Sequence, residues 1–121
     1  MKTILVVDDE YDIVEILQDI LEGEGYRVIG ATDGRQGLEI VAKDRPDLIL
    51  LDLMMPIMGG LDMLDRLRAS AEHNSIPVVL MSAAQTALDS RQYDDLVFLA
   101  KPFQLENLMD AIMETIGPGN G

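Results

Sequence analysis

Residues 4–12 read ILVVDDEYD, four aliphatic side chains followed at once by the acids Asp8, Asp9 and Glu10. A short apolar run without polar alternation marks a strand covered on both faces, and such strands belong to parallel sheets joined by crossover helices. The acids therefore stand at the mouth of a buried strand, in a chain whose formal charge is already -13. Carboxylates crowded at one point repel one another, so their placement calls for a chemical reason.

Outward from this stretch the same alternation repeats. Runs rich in Val, Ile and Leu at 3–7, 27–30, 48–51, 78–81 and 96–99 are the expected strands, and the first, third and fourth are apolar on nearly every face. The segment after Asp12 has helical period: Ile13, Val14, Ile16, Leu17, Ile20 and Leu21 form the expected apolar face, ended by Gly23 and Gly25. A second helix is expected after Thr32 and Asp33, burying Leu38, Ile40 and Val41 before Pro46. A third starts near Leu61 with Leu64 and Leu67 inward. The last starts near Gln104 with Leu108, Ile112 and Ile116 inward. Between Ser82 and Asp95 the pattern is weak, and Ala83, Ala84, Ala87 and Leu88 suggest a short fourth helix. Five strands alternating with five helices predict an α/β fold, a doubly wound open sheet.

At 121 residues the chain suits one domain with one core, so residues 1–121 are read as a single unit with a flexible tail at 117–121. Nine basic against 22 acidic residues oppose direct nucleic-acid binding, which depends on Lys and Arg at phosphates. An anionic membrane surface is disfavoured for the same reason. The absence of cysteine excludes disulfides, thiolate metal sites and cysteine nucleophiles. MKTILVV meets acids at Asp8 instead of a cleavage site, and no apolar run approaches the roughly 20 residues of a membrane helix. A cytoplasmic location is expected.

In open parallel sheets ligands bind beyond the carboxyl ends of the strands. The first strand delivers Asp8 and Asp9 to that edge, and the third, DLILLD, delivers Asp52. Three converging carboxylates call for a cation, and oxygen ligands without His or Cys favour a hard ion such as Mg2+. The fourth strand brings Ser82 and the fifth brings Lys101 to the same edge. A carboxylate flanked by a divalent metal, an ammonium and a hydroxyl is arranged to accept and hold a phosphoryl group, with Asp52 as nucleophile.

The motifs VVDDE at 6–10, DLILLDLMMPIMGG at 47–60, LMSA at 80–83 and AKPF at 100–103 occur in this order on the five-fold βα pattern. In these the chain resembles a response-regulator receiver domain from about Lys2 to Ile116. The resemblance implies a flavodoxin-like, five-stranded parallel sheet of order 2-1-3-4-5 flanked by five helices. It implies that Asp52 accepts phosphate from the phosphohistidine of a sensor histidine kinase or phosphotransfer protein. Asp9, Asp52 and the backbone carbonyl of Met54 would ligate Mg2+, with Asp8 helping, directly or through water. Ser82 and Lys101 would bind phosphoryl oxygens, assisted by the backbone amides of Leu53, Met54 and Ala83. Phe98 holds the switch-aromatic place, three residues before the lysine, and a downstream protein target would read the altered face.

Two departures from the family pattern stand out. Gly59-Gly60 replaces the usual Asp-Gly, which predicts a looser loop after Asp52, and the stretch from Ser82 to Lys101 is about three residues short, which predicts a shortened fourth helix. Plainer readings exist: Asp9 or Asp12 as a helix N-cap, Asp52 and Lys101 as a structural ion pair, Phe98 as core, the methionines at 54, 55, 58 and 63 as gap fillers, and His73 as an exposed loop residue. Other functions compete as well. A Mg2+-dependent phosphatase of the haloacid-dehalogenase type resembles Asp-x-Asp at this point, but Met54 stands where its second acid would be. A degenerate receiver used as a docking domain would not need the acids, Ser82 and Lys101. The chain would be a single-domain regulator, or a receiver cut from a larger regulator or hybrid kinase.

Overall fold

The structure, a computed structural model, describes residues 1–53, 55, 57–82, 97–100 and 103–119, with Ser82 described by its backbone alone. Its elements are β1 (Thr3–Val7), α1 (Tyr11–Gly23), β2 (Arg27–Ala31), α2 (Gly34–Asp44), β3 (Leu48–Asp52), α3 (Gly60–Ala69), β4 (Val78–Ser82), β5 (Val97–Ala100) and α4 (Leu105–Ile116). The strands form one parallel sheet in the order β2-β1-β3-β4-β5, as expected. Among the described residues there are four helices instead of five. The short helix expected after Ser82 lies outside the described residues.

The unbroken apolar runs are explained by two cores, one on each side of the sheet. Ile4, Val6, Leu48, Leu50, Val79 and Met81 pack with Val14, Leu17 and Leu21 of α1 and Leu108 and Ile112 of α4. Their neighbours in sequence, Leu5, Val7, Ile49, Leu51, Val78 and Leu80, point the other way, to Val41 of α2 and Met63, Leu64 and Leu67 of α3. Successive side chains of a strand alternate between faces, so a strand buried on both sides is apolar except at its ends, here Thr3 of β1 and Asp52 of β3. Ile16 departs from the expected apolar face of α1: it is 57% exposed. Two residues turn a helix by about 200°, which sets Ile16 nearly opposite the buried stripe begun by Val14.

Residues 117–119, part of the tail expected at 117–121, lie against Lys2, Gly25 and Tyr26. The Tyr26 hydroxyl donates to the Gly117 carbonyl at 2.5 Å, and the Lys2 ammonium donates to the Ile116 carbonyl. Gly119 is buried, and a Cβ there would come within 2.5 Å of the Gly25 carbonyl carbon. Burial, and secondarily the charge of Glu24, holds the Tyr26 phenol above its ordinary value of 10.0. An acid whose folded-state pKa is raised contributes stability that is intact below the unfolded value and fades as pH climbs past it. The melting temperature should therefore fall above pH 10. Tyr26→Phe should lie lower at pH 8, through the lost hydrogen bond of about 1 kcal/mol, yet decline less steeply above pH 10. Parallel melting curves for the two proteins across pH 8–11 would contradict this role.

Candidate functional site

The sheet register assembles the site. Val7 pairs with Leu51, so the next residues, Asp8 and Asp52, leave adjacent strands at the same level. Asp52 pairs with Met81, and Ser82 with Ala100, which extends the same carboxyl edge across β4 and β5. The backbone of Asp8 is tied to β2 as well, through its amide to the Ala31 carbonyl at 3.1 Å. The register of the central strands thus brings the acids to one place.

One carboxylate oxygen from each of Asp8, Asp9 and Asp52 lies within 4.8 Å of the others. Asp8 is fully buried, Asp52 nearly so, and Asp9 is exposed. At that separation, with the effective dielectric of about 20 that suits such sites, the Asp8–Asp52 repulsion is on the order of 3 kcal/mol. A divalent cation reverses its sign. Opposite ligands of an octahedral Mg2+ are about 4.2 Å apart, so the cluster has the size for one hard ion, with room for one carboxylate to reach it through water. Three oxygen donors without nitrogen or sulfur match that chemistry.

Other expectations are refined here. The N-cap of α1 is Glu10, without a side-chain cap, so neither Asp9 nor Asp12 serves as one. Asp8 instead accepts the Glu10 amide at 3.0 Å, which orients its carboxylate. The Leu53 amide, expected among the phosphoryl donors, is engaged by the Met81 carbonyl at 3.3 Å. Phe98 is 39% exposed on β5, so it is not a core residue. His73 is half-buried, in contact with Ser70 Oγ at 3.2 Å, and not an open loop residue. Met54, Lys101 and the side chain of Ser82 lie outside the described residues.

Of the two glycines after Asp52, Gly60 is closely confined, whereas a Cβ on Gly59 would meet only ordinary contacts, 3.6 Å from the Leu53 carbonyl oxygen and 4.0 Å from that of Met55. The Gly60 amide donates to the Leu53 carbonyl at 3.0 Å and closes the loop. A Cβ on Gly60 would press into the Asp52 carbonyl oxygen and lie 2.8 Å from Leu53 Cα. Inside the same loop Ile57 has φ 67°, a left-handed conformation that a β-branched residue rarely adopts. Gly60 is the residue that lets α3 begin directly against the backbone of Asp52.

The model of the response regulator receiver domain matches residues 4–113. The chain belongs to that family. It is 38% identical over 114 residues to sporulation initiation phosphotransferase F of Bacillus subtilis, covering 92% of this chain and 90% of that protein. It is 39% identical over 113 residues to the DNA-binding response regulator MtrA of Mycobacterium tuberculosis, but spans only 47% of that relative's length. Among solved structures, chemotaxis protein CheY4 of Vibrio cholerae superposes with a TM-score of 0.87 at 27% identity, covering 96% of this chain and 99% of that one. Response regulator TrrA of Thermotoga maritima, solved in complex with Mg2+-BeF, gives 0.81 at 31% identity, covering 96% of this receiver domain and 100% of its own chain. As a receiver domain of two-component systems, the protein fits the role of a phosphorylation switch.

Proposed function

We propose that Asp52 of this receiver domain takes a phosphoryl group from the phosphohistidine of a sensor kinase or phosphotransfer protein, and that the resulting change is read by a protein target. The convergence of Asp8, Asp9 and Asp52 at the carboxyl edge carries this reading. An oxygen of the Asp52 carboxylate forms the new bond to phosphorus as the bond to the donor imidazole nitrogen breaks, and the imidazole leaves with the electron pair and takes up a proton. Asp8 and Asp9, with the Met54 carbonyl, would hold Mg2+, which when bound offsets charge on the transferred group. Lys101 supplies a second positive charge and Ser82 a hydroxyl donor to the phosphoryl oxygens. Phe98, exposed on β5, would be the aromatic that changes packing when that edge is reorganised.

The same residues argue for a switch and against a turnover enzyme. Met54 occupies the position where an aspartyl phosphatase would carry the acid that protonates a leaving group, so monoester hydrolysis should be negligible. The charge of -13 favours protein partners, in the cytoplasm, over direct contact of this domain with nucleic acid or membrane. Incubation with acetyl phosphate and Mg2+ should add the mass of one phosphoryl group, absent in Asp52→Asn and slowed in Lys101→Ala. A mass gain that persists in Asp52→Asn would refute Asp52 as acceptor, and none in the parent protein would support a docking domain. Brisk hydrolysis of a generic phosphomonoester would support the phosphatase.

A further inference from the structure

We infer that Gly34, on a separate βα unit from the acids, is a positioning residue for phosphoryl uptake: it tethers the loop that Asp52 opens and so keeps the metal-binding arrangement in place. This rests on the reading of Asp52 and its neighbours as the Mg2+ and phosphoryl site.

The first amides of a helix have no partner within it and must be satisfied elsewhere. At the start of α2 the Asp33 carboxylate caps the Gln36 amide at 2.9 Å. The Gly34 amide crosses to the Met58 carbonyl at 3.1 Å, in the loop between β3 and α3. A Cβ on Gly34 would lie 2.8 Å from that same oxygen and 2.9 Å from Met58 Cγ, so no other residue allows this approach unchanged. Gly37, one turn further on, admits the end of Met63 of α3 in the same way, with a Cβ meeting Met63 Cε at 2.8 Å. Glycines on α2 thus bring its N-terminal turn against both the loop and α3.

The loop needs such a tether. Ile57 holds a left-handed backbone, while its side chain is 81% exposed and contributes little packing to keep it there. Two backbone bonds flank it: Gly60 to Leu53 ties the loop's ends together, and Gly34 to Met58 fixes it to the neighbouring unit. The first sets the loop's closure. The second fixes Met58 to α2, and Asp52, which ends β3 and opens this loop, is the member of the acid cluster that a displaced loop would carry with it, away from the near-ideal geometry a small ion demands.

Calorimetric titration with Mg2+ tests this directly. In Gly34→Ala the Mg2+ dissociation constant should rise about tenfold, and uptake from acetyl phosphate at sub-saturating Mg2+ should slow by a similar factor, recovering as Mg2+ is raised. Adding Ile57→Gly, which lets a displaced loop relax because glycine accepts positive φ freely, should restore the melting temperature but leave Mg2+ binding weak. A merely structural role predicts that affinity returns with stability, and that outcome overturns the inference. So does unchanged affinity in Gly34→Ala. If Gly34→Ala does not fold, exchange of the Gly34 amide in the parent protein decides: slower exchange with Mg2+ supports the tether, and no change overturns it. Failure of the parent protein itself to bind Mg2+ would instead overturn the reading of the site.

Discussion

Replacing Gly60 by alanine should lower the melting temperature by roughly 10 °C and abolish measurable phosphoryl uptake at millimolar Mg2+. Alanine improves the intrinsic helix preference by about 1 kcal/mol, and on an open surface it would stabilise α3. Here the added methyl meets the carbonyl of Asp52 and the Cα of Leu53, both backbone atoms that no rotamer change can move aside. Overpacking of this kind costs about 1–3 kcal/mol or more; with main chain on the receiving side the upper figure applies, and it outweighs the preference. For a domain of this size each kcal/mol lost lowers the melting temperature by several degrees. The displacement falls on Asp52 itself, so chemistry suffers with stability. Thermal melting together with mass spectrometry after acetyl phosphate treatment checks both effects. A variant as stable and as readily phosphorylated as the parent would show that α3 can shift without cost.

The second large effect is expected at Asp8. Asp8→Asn keeps an oxygen for the Glu10 amide, so the turn into α1 survives. It removes one charge from a buried position beside Asp52, and with it a share of the attraction for a divalent ion. The Mg2+ dissociation constant should rise at least tenfold, equivalent to about 1.4 kcal/mol. In the parent protein, Mg2+ at 100 times its dissociation constant should stabilise the fold by about 2.7 kcal/mol; at the same concentration the variant's gain in melting temperature should be far smaller. Equal Mg2+-dependent shifts in the two proteins would remove Asp8 from the metal site.

The central strands were legible because burial on both sides leaves no polar position to confuse the pattern. β1 lies where the apolar run placed it, and β3 and β4 extend one residue further, to Asp52 and Ser82. β2 likewise extends one residue further, to Ala31, and of the run expected at 96–99 the described part, 97–99, lies in β5 (Val97–Ala100), Leu96 lying outside the described residues. Ile16 was misjudged because an apolar residue counts toward periodicity whether or not it faces the core. The convergence of Asp8, Asp9 and Asp52 followed from strand order alone, since acids that end neighbouring parallel strands must meet. The roles of Gly34 and Gly60 were not legible. Sequence reveals a glycine's freedom but not which backbone approaches it, and their partners, Met58 and Asp52, are set by how α2 and α3 seat on the sheet. The close fit belongs to Gly60; at Gly59, which stands where the family has Asp, a Cβ would meet only ordinary contacts.

Cover declines across the sheet from every residue of β1 and β3 to the half-open Val97 and Phe98 of β5. The acids are rooted in strands buried along their whole length, whereas β5 has no fully buried residue. Exchanging side chains along that margin should therefore cost the fold less than exchanging those beneath the acids.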